Sequence, residues 1–433
     1  MPSSRYYGER LVGMNSTKSL SRLLAAGALC GILAAAVVAN DWPQWRGPER
    51  TGHSKEAGLL KAWAATGPKL VWKSEELGEG HTHPSVAKGK IFGMGLIGDE
   101  EVVWALEEKT GKILWKTRIA GRTELTARQG GYGSRATPTV DGEKIYIEGV
   151  GGDVVCLNAA DGKVLWSKNL QNDFGGSLPR WGYSESPLID GNKVVVTPGG
   201  NGATLVALDK NTGATLWKAQ VQGGGNGAAY SSAIVGTVGG VRQYIQFLEG
   251  GVVGVSATDG KVLWRFDAPA TPRGINCSTP ILQDDLVFAA AAYQHGGALG
   301  KLTKNGDTFS AEQVYFTREM RNHHGGMVVV NGYLYGFDEN NLTCIDFKSG
   351  KTMWTDRSVG KGSVVYADGH LYCRSERGPV ALVEANPEKY VEKGRFEQPD
   401  RSRDPSWAYP VIANGKMYLR DQGTLLCYDI KNP

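Results

Sequence analysis

The sequence contains few of the groups from which reactive sites are built. It has six cysteines among 433 residues, with no C-x-x-C, no C-x-x-C-H and no adjacent pair. These absences exclude a thioredoxin-like redox motif and a c-type haem attachment. The chain also lacks G-x-S-x-G, H-E-x-x-H and a D-x-D-x-D-G calcium loop. The common hydrolase, zinc protease and EF-hand signatures are therefore missing.

Basic and acidic residues nearly balance, at 48 Lys plus Arg against 44 Asp plus Glu. No Lys/Arg-rich run is present that could displace the counterions of a nucleic acid, so no nucleic-acid partner is predicted. Stretches with a 3.6-residue apolar period, which would indicate amphipathic helices, are also absent.

The one long apolar run, residues 23–39, follows a basic segment and ends in Val37-x-Ala39. This pattern is typical of a secretory signal peptide cleaved after Ala39. The run is shorter than the ~20 residues that a membrane-spanning helix prefers, and an uncleaved N-terminal anchor is the alternative. Translation starts at Met1 or Met14. We predict a signal peptide over residues 1–39, no transmembrane domain in the mature chain, and a periplasmic or secreted protein.

A short motif recurs through the rest of the chain. Residues 160–166 read ADGKVLW and residues 258–264 read TDGKVLW, and further copies end at Trp115, Trp217 and Trp354. An alternating apolar segment precedes each copy, and glycine supplies the positive φ that a tight hairpin needs. Each motif therefore predicts a hairpin whose second strand carries an aromatic residue.

Each complete repeat predicts four short antiparallel strands, the content of one propeller blade. The aromatic position recurs at steps of 39 to 51 residues, which is the length of a blade. Its occupants are Trp72, Trp115, Trp166, Trp217, Trp264, Tyr315, Trp354 and, in a degenerate copy, Phe396. The predicted fold class is all-β, an eight-bladed β-propeller of four-stranded antiparallel blades.

The two ends of the repeat region complement each other. The last copy, residues 409–429, lacks its fourth strand, whereas residues 69–73 read as an outer strand with no blade before them. We predict that the N-terminal strand completes the C-terminal blade and closes the ring. Residues 40–433 then form a single domain.

Three of the cysteines, Cys156, Cys344 and Cys427, occupy one position of the repeat, which Ala105 and Ala207 occupy in other copies. A position that alternates between Ala and Cys favours a small buried side chain, because free cysteine packs as a small hydrophobe. We predict a packing role for these thiols, with a redox role as the alternative.

The blade pattern x-P-x-V-x-x-G-x-x-Y … A-L-D-x-x-T-G-K-x-L-W resembles that of the PQQ-like β-propeller repeat proteins. These include the quinoprotein alcohol dehydrogenases and the periplasmic lipoprotein of the outer-membrane β-barrel assembly machinery. The resemblance covers residues 42–429 and concerns fold rather than activity. The segments DWPQWRGPERTG and WGYSESPL resemble a secreted bacterial branch of this group.

What the resemblance implies for chemistry is limited. The quinoprotein dehydrogenases carry an adjacent cysteine pair against the quinone, a catalytic Asp and calcium ligands. This chain lacks the pair, and no residue can be assigned to the other roles. We predict no catalytic residue, no metal ligand and no cofactor. The alternative is a PQQ- or metal-dependent oxidoreductase.

The candidate site comes from one position of the repeat, three residues before the proline, or its equivalent, near the start of each first strand. In a propeller the loops that enter these strands surround one end of the central channel. Elsewhere the repeat keeps its letters, but this position varies between copies: His81, Arg135, Ser184, Tyr230, Cys277, His324, Lys361 and Trp407. The neighbouring candidates are His83, Tyr183, Glu185, Asn276 and His323.

Two long entering loops, residues 116–134 and 167–183, add Arg180 and Trp181 to this predicted site. Arg and aromatic residues together suit an anionic group, a peptide carboxylate or a sugar. Three alternatives remain open: polar loops that are only solvated, a metal at His323 and His324, and a salt bridge of Glu185 with Arg135 or a His.

These observations favour an exported binding or scaffolding module of the bacterial cell envelope, acting as a monomer. Its predicted partner is an envelope protein, a peptide or a saccharide, bound at the mouth of the channel.

Overall fold

The repeats fold into eight sheets of four antiparallel strands. The structure is a computed structural model that describes residues 40–121 and 133–433, and within these ranges eight such sheets are present. The prediction of an eight-bladed β-propeller is confirmed. The predicted signal peptide lies outside the described residues.

The strands are numbered in chain order. Their bounds are β1 (Lys69–Ser74), β2 (Ser85–Ala87), β3 (Lys90–Ile97), β4 (Glu100–Glu107), β5 (Ile113–Gly121), β6 (Thr139–Asp141), β7 (Lys144–Glu148), β8 (Asp153–Asn158), β9 (Val164–Asn169), β10 (Leu188–Asp190), β11 (Lys193–Val196), β12 (Leu205–Asp209), β13 (Thr215–Ala219), β14 (Ile234–Val238), β15 (Val241–Leu248), β16 (Gly251–Ser256), β17 (Val262–Phe266), β18 (Ile281–Gln283), β19 (Leu286–Ala291), β20 (Gly296–Asn305), β21 (Thr308–Thr317), β22 (Met327–Val330), β23 (Tyr333–Asp338), β24 (Asn341–Asp346), β25 (Thr352–Asp356), β26 (Gly362–Ala367), β27 (His370–Ser375), β28 (Pro379–Glu384), β29 (Glu392–Glu397), β30 (Val411–Ala413), β31 (Lys416–Asp421) and β32 (Thr424–Asp429). A short helix, α1 (Leu170–Phe174), follows β9.

Blades 1 to 7 take four consecutive strands each, from β2–β5 to β26–β29, and blade 8 takes β30–β32 together with β1. The first strand of each blade, called the inner strand below, is the one nearest the channel, and the fourth is the outer strand. In the described part of the chain, no helix is long and apolar enough to cross a membrane.

The recurrent motif forms the turn between the third and fourth strands. In blade 3 the Asp209 carboxylate accepts hydrogen bonds from the backbone N–H groups of Asn211 and Thr212, at 2.9 and 3.0 Å. Gly213 follows with a φ of +71°, which a side chain would disfavour. The motif thus fixes a hairpin and places Trp217 on the outer strand.

In five places the aromatic residue of one motif packs on the glycine of the next motif. A Cβ on Gly162 would lie 2.5 Å from the Trp115 ring, and a Cβ on Gly213 would lie 2.9 Å from the Trp166 ring. Three further pairs share this packing: Gly111 with Trp72, Gly260 with Trp217 and Gly350 with Tyr315. Glycine is therefore required both by the turn and by the neighbouring blade, as the repeat predicted.

The ring closes through the N-terminal strand. β1 pairs antiparallel with β32, from Lys69 opposite Asp429 to Ser74 opposite Leu425, with one bulge. The packing of aromatic residue on glycine continues here, because a Cβ on Gly67 would lie 2.5 Å from the Phe396 ring of blade 7. The predicted closure is confirmed.

The three cysteines of the repeat, Cys156, Cys344 and Cys427, are buried in the sheets and are at most 1% exposed. They are free thiols, and burial raises the pKa of Cys156 to about 11 and that of the other two to about 12. The predicted packing role agrees with these surroundings.

Residues 41–54 enter the channel and form a structure that we call the plug. The plug is hydrogen-bonded to every blade. The partner residues lie in the inner strands or one or two positions before them. The partners in blade order are Val86, Val140, Ser186 with Pro187, Ala233, Thr279, Met327, Tyr366 and Ile412. The plug therefore contacts all eight blades.

Two buried arginines of the plug, Arg46 and Arg50, make several of these contacts. Arg50 donates to Ser186 O at 3.0 Å, to Ala233 O at 2.8 Å and to Pro187 O, so that it joins blades 3 and 4. A buried guanidinium is costly unless its N–H groups are bonded, and these carbonyls provide the partners.

Candidate functional site

The residues that precede the inner strands converge at one end of the channel and enclose a cavity of about 380 Å³. We call this end the mouth. The cavity is lined by Trp45, His81, His83, Arg135, Trp181, Ser184, Tyr230, Ile275, Cys277, Tyr293, His323, His324, Trp407 and Tyr409. All eight blades except blade 7 contribute to this wall.

The plug contributes Trp45 to the cavity. The Trp45 indole N–H donates to the Thr279 hydroxyl at 2.8 Å, and its ring meets His83 and Tyr409 edge-on, with centroids 4.6 and 5.2 Å apart. His83 and Tyr409 lie 4.5 Å from each other. These three rings close the inner end of the cavity.

A second group of rings surrounds Trp407. The centroids of His81 and His324 each lie 4.4 Å from the Trp407 ring, and His323 stacks on His324 at 3.8 Å. The Arg135 guanidinium lies over Trp407, with Cζ 5.7 Å from the centroid. The wall thus presents flat apolar surfaces with one cation among them.

The imidazole of His323 connects the cavity to its rim. Lys361 Nζ lies 3.1 Å from Nδ1, and the Tyr293 hydroxyl lies 3.1 Å from Nε2. Because an ammonium can only donate, Nδ1 accepts, and Nε2–H donates to the tyrosine oxygen. Lys361 also pairs with Glu376 at 3.0 Å, and His324 Nδ1 lies 3.3 Å from the same carboxylate oxygen.

The four histidines of the cavity are neutral at physiological pH. Burial, with nearby positive charge, lowers the pKa of His81 and of His323 to about 3. The same causes lower the pKa of His83 and His324 well below the usual value. Each ring therefore offers one N–H donor and one nitrogen acceptor.

Several polar atoms of the wall have no protein partner. Within residues 40–121 and 133–433, no hydrogen bond reaches Nε2 of His81, His83 or His324, the Ser184 hydroxyl or the Trp407 indole N–H. His81 and His83 are each only 5% exposed. Buried polar groups are normally satisfied, but each of these atoms has almost no accessible surface of its own, so a ligand in the cavity reaches it only when a neighbouring side chain moves.

One of the two long loops shapes the mouth. Asn169 caps α1 by accepting from the N–H groups of Gln171 and Asn172, and the chain then turns to Trp181. The Trp181 ring lies 5.6 Å from that of Tyr230, and the exposed Arg180 guanidinium lies 5.1 Å above Trp181. In the other loop, β5 runs to Gly121, farther than predicted, and residues 122–132 lie outside the described part.

A sequence profile of the PQQ_2 family, described as outer membrane protein assembly factor BamB, matches residues 99–356. The chain belongs to this family. It is 25% identical to the outer membrane protein assembly factor BamB of Shewanella oneidensis over 384 residues, which cover 84% of this chain and 89% of that relative.

Solved structures of the BamB family and of its fold neighbours superpose on the propeller. BamB from Moraxella catarrhalis aligns with a TM-score of 0.61 at 13% identity, covering 84% of this chain and 100% of that chain. A quinohemoprotein alcohol dehydrogenase from Pseudomonas putida aligns with a TM-score of 0.59 at 13% identity, covering 91% and 81%. At such identities the likeness concerns the fold alone.

The quinone that gives this BamB-containing family its short name does not fit the cavity well. Pyrroloquinoline quinone carries three carboxylates, whereas among the lining residues within 40–121 and 133–433 Arg135 is the one Arg or Lys. No group of three or more His, Cys, Asp or Glu side chains in the described ranges is arranged to hold a metal ion. We therefore derive no chemistry through this cofactor.

Most of the predicted site residues meet in this BamB-family propeller. The eight residues at the varied position of the repeat are called the ring positions below. Seven of them line the cavity, and the eighth, Lys361, lies at its rim. The other predicted residues in the wall are His83, Trp181 and His323, while Arg180 lies at the mouth beside Trp181.

Three predicted residues lie in the protein core instead. Tyr183 is 1% exposed and donates to Pro198 O at 2.9 Å. Asn276 is fully buried and donates to Leu248 O at 2.7 Å. Glu185 is 4% exposed and accepts from Gln246 rather than from Arg135 or a histidine. The side chains next to them in the sequence point to the cavity, whereas these three side chains point away from it.

The sequence did not predict Trp45, Ile275, Tyr293 or Tyr409 as part of the site. Tyr409 precedes a first strand by two positions, as His83 does, and this shared register was an available signal. Trp45 belongs to no repeat, so no periodicity could place it in the channel.

Proposed function

We propose that this protein is a binding and scaffolding propeller of the bacterial cell envelope, and that its ligand enters the cavity at the mouth. The observation that carries the proposal is the wall itself, where flat aromatic faces alternate with buried polar atoms that lack protein partners. Mostly apolar pockets with a few placed polar groups are the usual form of a ligand site.

The protonation states of the wall favour binding over acid–base catalysis. The pKa values of His81 and His323 are about 3, and those of His83 and His324 lie well below the usual value, so none of these imidazoles has a pKa in the neutral range in which a general base works. Burial raises the pKa of the Tyr230 hydroxyl and of the Cys277 thiol to about 12, so both keep their protons. The groups of the cavity are therefore fixed as hydrogen-bonding partners.

The place in the envelope is part of the same proposal. Relatives that align over most of this chain are named outer membrane protein assembly factors, and residues 1–39 have the pattern of a signal peptide. We propose that a periplasmic or secreted monomer, residues 40–433, works beside other envelope components.

The test compares capture of envelope components by wild type and by cavity variants. Trp407→Ala and Trp181→Ala should reduce capture at least tenfold, because aromatic anchors at binding centres contribute about 2 kcal/mol or more. Leu216→Ala is the control, because this side chain is 44% exposed on the outer strand of blade 3.

Melting temperatures close to that of wild type show that a variant still folds. Unchanged capture by both folded tryptophan variants would remove the cavity as the site. Saturable binding of pyrroloquinoline quinone with calcium, measured by absorbance, would favour the oxidoreductase alternative.

A further inference from the structure

A second hollow adjoins the cavity at the mouth. Its volume is about 450 Å³, and it is lined by residues of blades 5 to 7, including Arg273, Glu339 and Lys361. Tyr293 and His323, which are hydrogen-bonded to each other, line both spaces, so the two spaces are adjacent.

The aromatic faces in the cavity suit a sugar ring. Trp181, Tyr230 and Trp407 come from different blades, and each presents part of its ring to the same space. The C–H face of a pyranose is apolar and stacks on such rings, while its hydroxyls project from the edge and require polar partners.

The polar atoms of the wall match hydroxyl groups. A neutral imidazole offers a donor and an acceptor, and a sugar hydroxyl is likewise both. His81, His83 and His324 line the cavity, and each has one ring nitrogen without a partner in the described chain; neighbouring side chains cover these nitrogens, so a hydroxyl reaches them only when those side chains shift. Arginines and lysines alone would favour a bare anion, whereas this set suits a polyol.

The charges around the two hollows favour a ligand with carboxylates. Arg135 lines the cavity, and the exposed Arg273 lies over Tyr293, with its Cζ 5.4 Å from the ring centroid, in the wall of the second hollow. Of the acids nearby, Glu376 lies 3.0 Å from Lys361, whereas Glu339 shares Arg321 with Asp338, which makes the shorter contacts. Arg side chains bind carboxylates well, so Arg135 and Arg273 are the groups that would receive them.

A peptide fits this region less well. Peptides commonly bind by adding a strand to a free sheet edge. In the channel the plug already bonds to the inner strands at Val86, Val140 and Tyr366. The cavity wall is made of side chains rather than of free backbone groups.

We propose that the cavity and the second hollow together bind an acidic oligosaccharide, with one sugar ring among Trp181, Tyr230 and Trp407 and the next carboxylate toward Arg273. This inference rests on the proposed function and specifies its ligand class. The probes are digalacturonic acid and the matched neutral disaccharide galactobiose, followed by calorimetry and by tryptophan fluorescence.

We expect digalacturonic acid to bind at least tenfold more tightly than galactobiose. Arg273→Ala should weaken its binding about tenfold, and Trp181→Ala should weaken both disaccharides. Lys348→Ala, an exposed lysine on the turn after β24, should change neither affinity. This pattern in folded variants supports the proposal.

Other outcomes overturn it. Equal binding of the two disaccharides, or an Arg273→Ala variant with unchanged affinity, contradicts the acidic ligand. If neither disaccharide binds while Trp407→Ala still abolishes capture of envelope components, the saccharide inference fails and the proposed function stands. If capture is also independent of the cavity, both fail.

Discussion

Glu148 is the middle one of three buried carboxylates on the first three blades. Glu101 accepts a hydrogen bond from the Ser134 hydroxyl, and Glu185 accepts one from Gln246, but both Glu148 oxygens have no partner in the described ranges. Burial raises the pKa of Glu101 and of Glu185 to about 7, and burial together with Glu185 raises the pKa of Glu148 well above the usual value.

This arrangement predicts a pH-dependent stability. The carboxyl of Glu148 ionises near pH 4.5 in the unfolded chain but at a higher pH in the folded protein. Its stabilising contribution is therefore full below pH 4.5 and is lost as the pH rises through the folded pKa, at about 1.4 kcal/mol per pH unit. We expect Glu148→Gln to become more stable relative to wild type between pH 4 and pH 8, as measured by urea unfolding.

Glu143→Gln provides the control, because Glu143 is exposed and pairs with Lys88 at 2.6 Å. Its stability relative to wild type should not rise over the same range. The buried histidines titrate in all three proteins and cancel in the comparison. Parallel pH profiles of wild type and Glu148→Gln would contradict an elevated pKa at this residue.

The turn glycines allow two effects to be separated. Gly162 has a φ of +74°, and a Cβ on it would lie 2.5 Å from the Trp115 ring. Gly191 has a φ of +61° with no heavy atom within 4 Å of its Cβ position. Gly191→Ala should cost about 1 kcal/mol from backbone strain, and Gly162→Ala about 1–3 kcal/mol more from overpacking. Chemical denaturation measures both, and equal losses would show that the contact between blades carries no energy.

Single residues of the plug form hydrogen bonds with more than one blade. Removing the Arg50 side chain leaves three buried carbonyls, of Ser186, Pro187 and Ala233, without this donor. Unsatisfied buried groups cost about 1–3 kcal/mol each, so Arg50→Ala should lower the free energy of unfolding by at least about 2 kcal/mol. Lys55→Ala, at an exposed position paired with Glu49, should stay within about 0.5 kcal/mol. A similar loss in both variants in urea unfolding would count against the plug as a brace.

The blades could be predicted from the sequence and the plug could not, for one physical reason. A blade is stabilised by residues that are close in the sequence, and its motif recurs in the other blades. The turn and the outer strand around Gly213 and Trp217 can therefore be predicted from the motif itself. The plug bonds to partners as distant as Ile412, 358 positions from Ser54, and it occurs once. The ring positions could be predicted in part. Their place in the repeat correctly predicted that they lie at the channel mouth, and seven of them line the cavity. It did not show that the neighbouring Tyr183 and Glu185 point into the core.

For the molecule as a whole, two N-terminal segments stabilise the ring by different means. The plug braces the inner strands, and β1 completes blade 8 by pairing with β32. A chain that begins at residue 57 loses only the plug, whereas one that begins at residue 76 loses the plug, β1 and the buried Leu59 and Trp63 between them. We expect the first to melt cooperatively at a reduced temperature, and the second to melt at least about 5 °C lower again, because an unpaired strand edge and an incomplete core remain.

Circular dichroism and calorimetry of the two truncated chains measure these steps. If the shorter chain melts within a degree or two of the longer one, β1 does not close the ring in solution. If the longer chain melts at the same temperature as wild type, the free energy gained from the hydrogen bonds of the plug is offset by the free-energy cost of ordering and burying it in the channel.

The contacts of the plug also depend on the order in which the chain is synthesised. Trp42 and Arg50 are synthesised long before Ile412, the last of the plug's partners along the chain, which bonds to Ser54 358 positions earlier. The segment made first must therefore wait for almost the whole chain before all its contacts can form. A chain interrupted before blade 8 would leave the plug partly unbound and Trp45 without Tyr409, so the mouth is complete only after blade 8 has been made.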